Sequence, residues 1–311
     1  MSMPVPDFSI ATPTYNALPK LRRCVGSVRG QTRVLWEHLV QDGCSADGTA
    51  AWLQAQAQWN PAMRPESVAD QGMYDAIDRA WARSSGSYMS WLNSDEQYLP
   101  GTLARVKAFF DVNPTVDVVS GDYLVADEQG RAVALRREIP MRPFYVANTF
   151  LNTLTCTLFF RRRLWTDGVL RLNSRLRYAA DKDLVLRLAA AGAKFAHLPE
   201  VLSVFGVDGS NLSAHAGMAT EAEMVRLAHG GFRWKPLRWS ALAGRRVERL
   251  ARGAYHPVEF RYRYALDEVP SYADYHADGL GGRYSLSDTS GRARIVESLP
   301  GNPVTEPDIR P

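Results

Sequence analysis

The chain has 311 residues, 46% hydrophobic and 23% charged, with a formal net charge of +4. These are the proportions of a soluble globular protein, long enough for one large domain with an extension, and the charge is too small to argue for a nucleic-acid partner. The opening MSMPVPDFSIATPTYN lacks a basic stretch followed by an apolar one, and no run approaches the ~20 apolar residues of a membrane span. Cys24, Cys44 and Cys156 show no metal-ligand spacing and read as reduced thiols, so the expected location is cytoplasmic.

Up to Ser120 the pattern alternates strand and helix. Phe8 to Thr12 reads as a strand and Leu18 to Val28 as a helix, with Leu18, Leu21, Val25 and Val28 at helical spacing. Val34 to Val40 is a second strand closed by Asp42-Gly43, and Ala46-Asp47-Gly48 can cap a helix through Gln58. Met73 to Arg83 predicts a helix, Tyr88 to Leu92 a strand, Thr102 to Asp111 a helix after Pro100, and Val116 to Ser120 a strand. This rhythm predicts an α/β domain with a mostly parallel central sheet covered by helices on both faces. Ligands of such sheets bind outside the carboxyl ends of the strands. Those ends here are Thr12-Pro13-Thr14-Tyr15-Asn16, Asp42-Gly43 and Asn93-Ser94-Asp95-Glu96.

After Asp122 the rhythm changes. Tyr123 to Leu135 predicts a hairpin around Gln129-Gly130, Leu158 to Phe160 a strand, and Asp181 to Ala191 a helix stopped by Gly192. The last residues are rich in Gly, Ser, Asp and Pro and read as poorly ordered.

No glycine triplet follows the first strand and no Gly-Lys-Ser loop appears, so neither the dinucleotide fingerprint nor a phosphate-cradling loop is present. The acidic turn at residues 93 to 96 offers hard oxygen donors of the kind Mg2+ and Mn2+ prefer, although Asn, Ser and Asp are also plain turn formers.

The stretches IATPTYN, QDGCSADGT, ADQGMYDAIDRAWARSSGSYMSWLNSDEQYLPGTL and LRYAADKDLVLRLAAAG occur in the order and spacing of family-two inverting glycosyltransferases. They most resemble the bacterial branch that builds cell-surface polysaccharides. The resemblance implies a single GT-A-type domain over about residues 1–230, nucleotide-binding to about 122 and acceptor-binding beyond. It also implies a nucleotide-sugar donor, a saccharide or lipid-linked saccharide acceptor, and Mg2+ or Mn2+. By the same resemblance Pro13, Thr14, Tyr15 and Asn16 line the nucleotide pocket, with Tyr15 against the base and Asp42 contacting it. Asp70, Gly72, Asp75 and Asp78 lie beneath the donor sugar and diphosphate. Arg79 would substitute for a diphosphate arginine, since Ile77 stands at the usual place. Asn93, Ser94, Asp95 and Glu96 form the acidic motif, with Asp95 and Glu96 on the metal, and Asp181 matches the general base.

The chain departs from the family pattern at Gln41, Asn93, Ala180 and Leu154 to Thr157, where acidic residues or a His-Gln pair are usual. Those departures keep open an inactive scaffold or a nucleotide-sugar-binding module. Asp181 also reads as a helix cap, with Asp183 its nearest competitor, and His215 as a surface residue on a loop that contacts substrate in some relatives.

Residues 232 to 263 hold nine basic residues against two acidic, a formal +7, within a predicted basic helical extension over 231–311. On a helix, Trp239, Leu242, Ala243, Val247 and Leu250 gather on one side, with Arg245, Arg249 and Arg252 opposite. The segment reads either as a helix lying on an anionic membrane surface or as one packed on the catalytic body with solvated arginines.

Overall fold

The computed structural model describes residues 4–207, 216–269, 271–283 and 294–295. The first half runs β1 (Phe8–Thr14), α1 (Leu18–Arg29), β2 (Trp36–Asp42), α2 (Thr49–Trp59), β3 (Glu66–Ser67), α3 (Met73–Ala82), β4 (Tyr88–Trp91), β5 (Glu96–Tyr98) and α4 (Thr102–Val112). The second half continues with β6 (Val118–Ala126), β7 (Ala132–Arg136), α5 (Pro143–Asn148), a 3-10 turn at Thr155–Thr157, β8 (Phe159–Arg161), α6 (Arg163–Thr166) and α7 (Ala180–Ala190). It ends with β9 (Phe195–Gly206), α8 (Ala216–Ala228), α9 (Lys235–Ala251), β10 (Val258–Ala265), β11 (Tyr272–Leu280) and β12 (Arg294–Ile295).

The main sheet has nine strands in the order β3-β2-β1-β4-β8-β6-β9-β5, with β7 paired to β6. The first four are parallel, and β8 enters antiparallel between β4 and β6. Period-two alternation divides each central strand between two cores. Phe8, Ile10, Tyr88 and Phe159 face α1 and α4, packing on Cys24, Val28, Val106 and Phe110. Met89, Trp91, Val118 and Phe160 face α3 and α7, packing on Ile77, Trp81, Leu184 and Leu188. Helices on both faces of a largely parallel sheet are therefore dictated by strands that are apolar on both sides. The register Thr14↔Asp42 sets the carboxyl ends of β1 and β2 side by side, while Ala11↔Trp91 brings β4 to the same edge.

Two expectations are corrected. The strand at Val116 to Ser120 and the hairpin after it are one device: β6 runs unbroken to Ala126 and turns at Asp127, whose Oδ1 accepts the Gln129 and Arg131 N–H groups. More substantially, among the described residues the extension is helical only in α9. Beyond it β10, β11 and β12 form a second antiparallel sheet. Tyr262, Tyr264, Tyr275 and Leu280 of that sheet bury against Leu124, Ala132 and Leu135 of the hairpin, with the Tyr262 hydroxyl on Gly130 O at 2.6 Å. Residues 258–265 alternate apolar and charged side chains, with Glu259, Arg261 and Arg263 on the more exposed strand face, a period-two pattern rather than a helical one.

The faces of α9 also differ from expectation. Arg245 and Arg249, expected on the solvated side, are each 2% exposed and point into the protein. Arg249 Nη1 lies 2.8 Å from both Glu138 oxygens, and the Arg245 guanidinium sits 3.9 Å above the Phe150 ring. A buried carboxylate and an aromatic face outbid the apolar stripe for the inward position. The poorly ordered tail and His215 lie mostly or wholly outside the described residues.

Candidate active site

A cleft of about 940 Å³ opens at the carboxyl edge of β1 and β4. Pro13, Thr14 and Tyr15 form one wall, and Tyr15 is 67% exposed at the rim. The Thr14 hydroxyl is buried yet has no hydrogen-bond partner among the described residues. Asn16 adopts φ 50° and ties this wall to the neighbouring loop, donating its N–H to Ser45 Oγ at 2.7 Å and accepting from Ala46 N at 2.8 Å. Asn16 therefore shapes the cleft from outside it.

Asp42 stands behind the wall. It is fully buried, with Ser45 Oγ at 2.5 Å and Ser67 Oγ at 2.6 Å, so each carboxylate oxygen holds a serine hydroxyl and Asp42 itself does not line the cleft. Gly43 takes its place in the lining, where a Cβ would meet Asp70 Oδ2 at 2.9 Å. That close approach is the physical use of the Asp-Gly pair.

At the start of α3, Asp70, Gly72 and Asp75 line the floor as expected. Gly72 has φ 112°, a left-handed value that favours glycine, and its N–H donates to Asp70 Oδ1 at 2.8 Å. Arg79 is directed elsewhere: its Nε bonds Asp75 Oδ2 at 2.8 Å and the residue is absent from the cleft lining. Asp78 accepts the Leu172 N–H at 3.1 Å beneath the site, and burial pushes its carboxyl up to about 6. The cations that do line the cleft are Lys20, Arg175 and Arg177. Sequence reasoning passed over them, although the run RLNSRLRYAAD just before Asp181 was a visible basic signal.

Asn93, Ser94 and Asp95 face the cleft from the end of β4, and the Asp95 backbone is pressed against Gly206 of β9, where a Cβ would sit 2.7 Å from its carbonyl oxygen. Glu96, expected beside Asp95 on the metal, is 1% exposed and turned under the loop, where Oε2 accepts the Asn93 N–H at 2.7 Å. Burial and the neighbouring Asp95 charge raise its carboxyl well above the usual range. Asn93 Oδ1 is buried without a partner among the described residues. An orphaned amide oxygen beside a carboxylate is a donor set that fits Mg2+ or Mn2+. A separate surface cluster, Glu259, His276 and Asp278, lies on the second sheet away from the cleft.

Asp181 lines the same cleft from the first turn of α7. The helix cap is Ala179, so Asp181 is one step inside the helix rather than its cap. Its Oδ1 accepts the Lys182 N–H at 2.7 Å, and burial raises the carboxyl to about 6 despite that bond and the Lys182 charge. Asp183 is spent on Arg187 and His229, each at 2.8 Å, and does not line the cleft. The segment leading into α7 is held from α8. Glu221 accepts the N–H groups of Arg177, Tyr178 and Ala179 at 2.9, 2.7 and 3.1 Å. No sequence signal linked Glu221 to amides 42 to 44 positions earlier.

The sequence model of glycosyl transferase family 2 matches residues 9–165, half of the chain, and includes the β1, β2, α3 and β4 walls of the cleft. The chain belongs to glycosyltransferase family 2. Among similar proteins, a PGL/p-HBAD biosynthesis glycosyltransferase of Mycobacterium tuberculosis is 32% identical over 60% of this chain and 70% of its own length. The O-antigen biosynthesis protein RfbC of Myxococcus xanthus is 26% identical over 85% of this chain but only 20% of its own length. Among solved structures, S. aureus TarS 1–349 in complex with UDP-GlcNAc superposes with a TM-score of 0.60 at 18% identity, covering 79% of this chain and 73% of that one. A Pyrobaculum calidifontis mannosyltransferase in complex with GDP-Man and Mn2+ gives 0.55 at 19%, covering 77% and 69%. At such identity the two structures establish the GT-A-type fold. In this family 2 glycosyltransferase, α7 with Asp181 and the basic loop before it lie beyond the matched segment. The fold, rather than the family motif, delivers them to the cleft.

Proposed function

We propose that this glycosyltransferase transfers a hexosyl group, with inversion, from a nucleoside-diphosphate sugar to a saccharide or lipid-linked saccharide acceptor in surface-polysaccharide synthesis in the cytoplasm. The observation that carries this reading is one cleft lined by two carboxylates from separate elements, Asp95 after β4 and Asp181 on α7, together with Lys20, Arg175 and Arg177.

Inversion requires the acceptor hydroxyl to attack the anomeric carbon opposite the departing nucleoside diphosphate. Asp181, with its carboxyl near 6, is ionised at neutral pH and is still basic enough to take the hydroxyl proton as the bond forms. Lys20, Arg175 and Arg177 neutralise diphosphate charge, and Tyr15 with the unpartnered Thr14 hydroxyl receives the nucleoside. Asp95, with Asn93 Oδ1, would hold Mg2+ or Mn2+, which when bound supplies Lewis-acid stabilisation of the leaving diphosphate. Glu96 braces that turn from behind. The mannosyltransferase complex with Mn2+ and the TarS complex with UDP-GlcNAc support this reading of the donor side.

A thermal-shift screen of UDP-, GDP- and dTDP-sugars with Mn2+, followed by release of the matching nucleoside diphosphate, tests the reading. One donor class should stabilise the protein and turn over. Stabilisation without any product, with or without acceptor saccharides, would instead favour a binding module.

A further inference from the structure

An amphipathic helix on a globular protein normally buries its apolar stripe, and α9 does the reverse. Its arginines 245 and 249 are buried on Glu138 and Phe150, and its apolar stripe looks outward. Trp239, Val247 and Leu250 are 67%, 65% and 61% exposed, and Trp234 just before the helix is 64% exposed. Arg233, Lys235 and Arg246 are exposed around this stripe. The helix's carboxylate, Glu248, is instead engaged with Arg142 at 2.7 Å and Arg252 at 3.3 Å. Arg238 pairs with Glu223 of α8 at 3.4 Å, and α8 carries its own exposed apolar side chains, Met224 and Leu227. The same helix α8 reaches the catalytic cleft through Met218.

We propose that the outward face of α9, continued by α8, docks on an anionic lipid bilayer. The charge pattern selects this occupant. A second copy would bring Arg233, Lys235 and Arg246 against their own equivalents, whereas anionic headgroups neutralise the cations while the tryptophans and aliphatic side chains enter the interface. The docking surface and the cleft share α8, which lines the cleft through Met218. The proposal rests on the faces of α9 and stands apart from the assigned chemistry of the cleft.

The test is co-sedimentation of the full-length protein with vesicles of phosphatidylcholine alone or mixed with phosphatidylglycerol. Binding should require phosphatidylglycerol and weaken as salt rises. Arg246→Glu should lower affinity by about five-fold or more, the scale of one surface cation. Trp239→Ser combined with Leu250→Ser should lower it at least ~10-fold through lost apolar burial, with circular dichroism, melting temperature and nucleotide binding unchanged because these side chains touch solvent. Equal binding to both vesicle types, no binding at low salt, or a dimer in sedimentation equilibrium that the Trp239 and Leu250 changes dissolve would overturn the proposal.

Discussion

Glu221 on α8 accepts the Tyr178 backbone N–H at 2.7 Å, three positions before Asp181. With the Arg177 and Ala179 amides on the same carboxylate, this one side chain orients the amino end of the helix that carries the proposed base. Removing it leaves three backbone donors without their acceptor, at about 0.5–1.5 kcal/mol per hydrogen bond. Glu221→Ala should lower kcat at least ~10-fold, as misplacement of a catalytic group does, while the donor dissociation constant stays unchanged. Glu221→Gln, which keeps an acceptor oxygen, should recover part of the loss. Equal loss of donor affinity in both variants would show a general collapse of the cleft.

Asp181 provides the pH signature. Burial holds its carboxyl at about 6, so the base form is lost as pH falls through that value. The turnover rate of the wild-type protein should therefore rise with pH up to about 6 and level off above it. Asp181→Asn should lower kcat by at least ~100-fold and leave donor binding nearly unchanged. A wild-type profile that is flat between pH 5 and pH 7 would remove Asp181 from the role, those pH values bracketing its carboxyl at about 6.

The cations separate sequence expectation from structural placement. Arg175 lines the cleft, whereas Arg79 is held by Asp75 outside it. Arg175→Ala should weaken nucleoside-diphosphate binding by about 10-fold or more, the scale of a charge-assisted hydrogen bond. Arg79→Ala should leave it within about two-fold, and titration calorimetry distinguishes the two.

The parts of the molecule that were readable share a cause: local pattern. Phe8 to Thr12 and Tyr88 to Leu92 read as short, largely apolar runs because each strand packs on both faces, and the Asp-Gly, Gly72 and Asn-Ser-Asp features mark turns by chemistry that acts within a few residues. Asp42 was legible as a strand end but not as a residue satisfied by Ser45 and Ser67, since Ser67 lies 25 positions away on another strand. Glu96 borders the cleft, but its burial and its bond to the Asn93 N–H were not legible, because they depend on β5 pairing with β9, a long-range contact. The inverted faces of α9 were hidden for the same reason: only the placement of Glu138, 111 positions before Arg249, makes the arginine side the buried one.

That Glu138 cluster also fixes stability. Glu138→Ala would leave Arg245 and Arg249 buried without a carboxylate, which costs about 3–5 kcal/mol when one partner of a buried ion pair is removed. Chemical denaturation should show a loss of that order. A loss under about 1 kcal/mol would mean that α9 is held by its other contacts.

The central claim is that the Asp95 turn binds nucleoside diphosphate through a divalent cation. Titration calorimetry of UDP and GDP against the wild-type protein and Asp95→Asn, each with Mn2+ and with excess chelator, tests it most directly. The expected result is tight binding of one nucleotide to the wild-type protein with Mn2+, weakened at least ~10-fold by chelator and equally by Asp95→Asn, with the variant's melting temperature in the absence of ligand unchanged. Nucleotide affinity that is indifferent to chelator and to Asp95→Asn would contradict it.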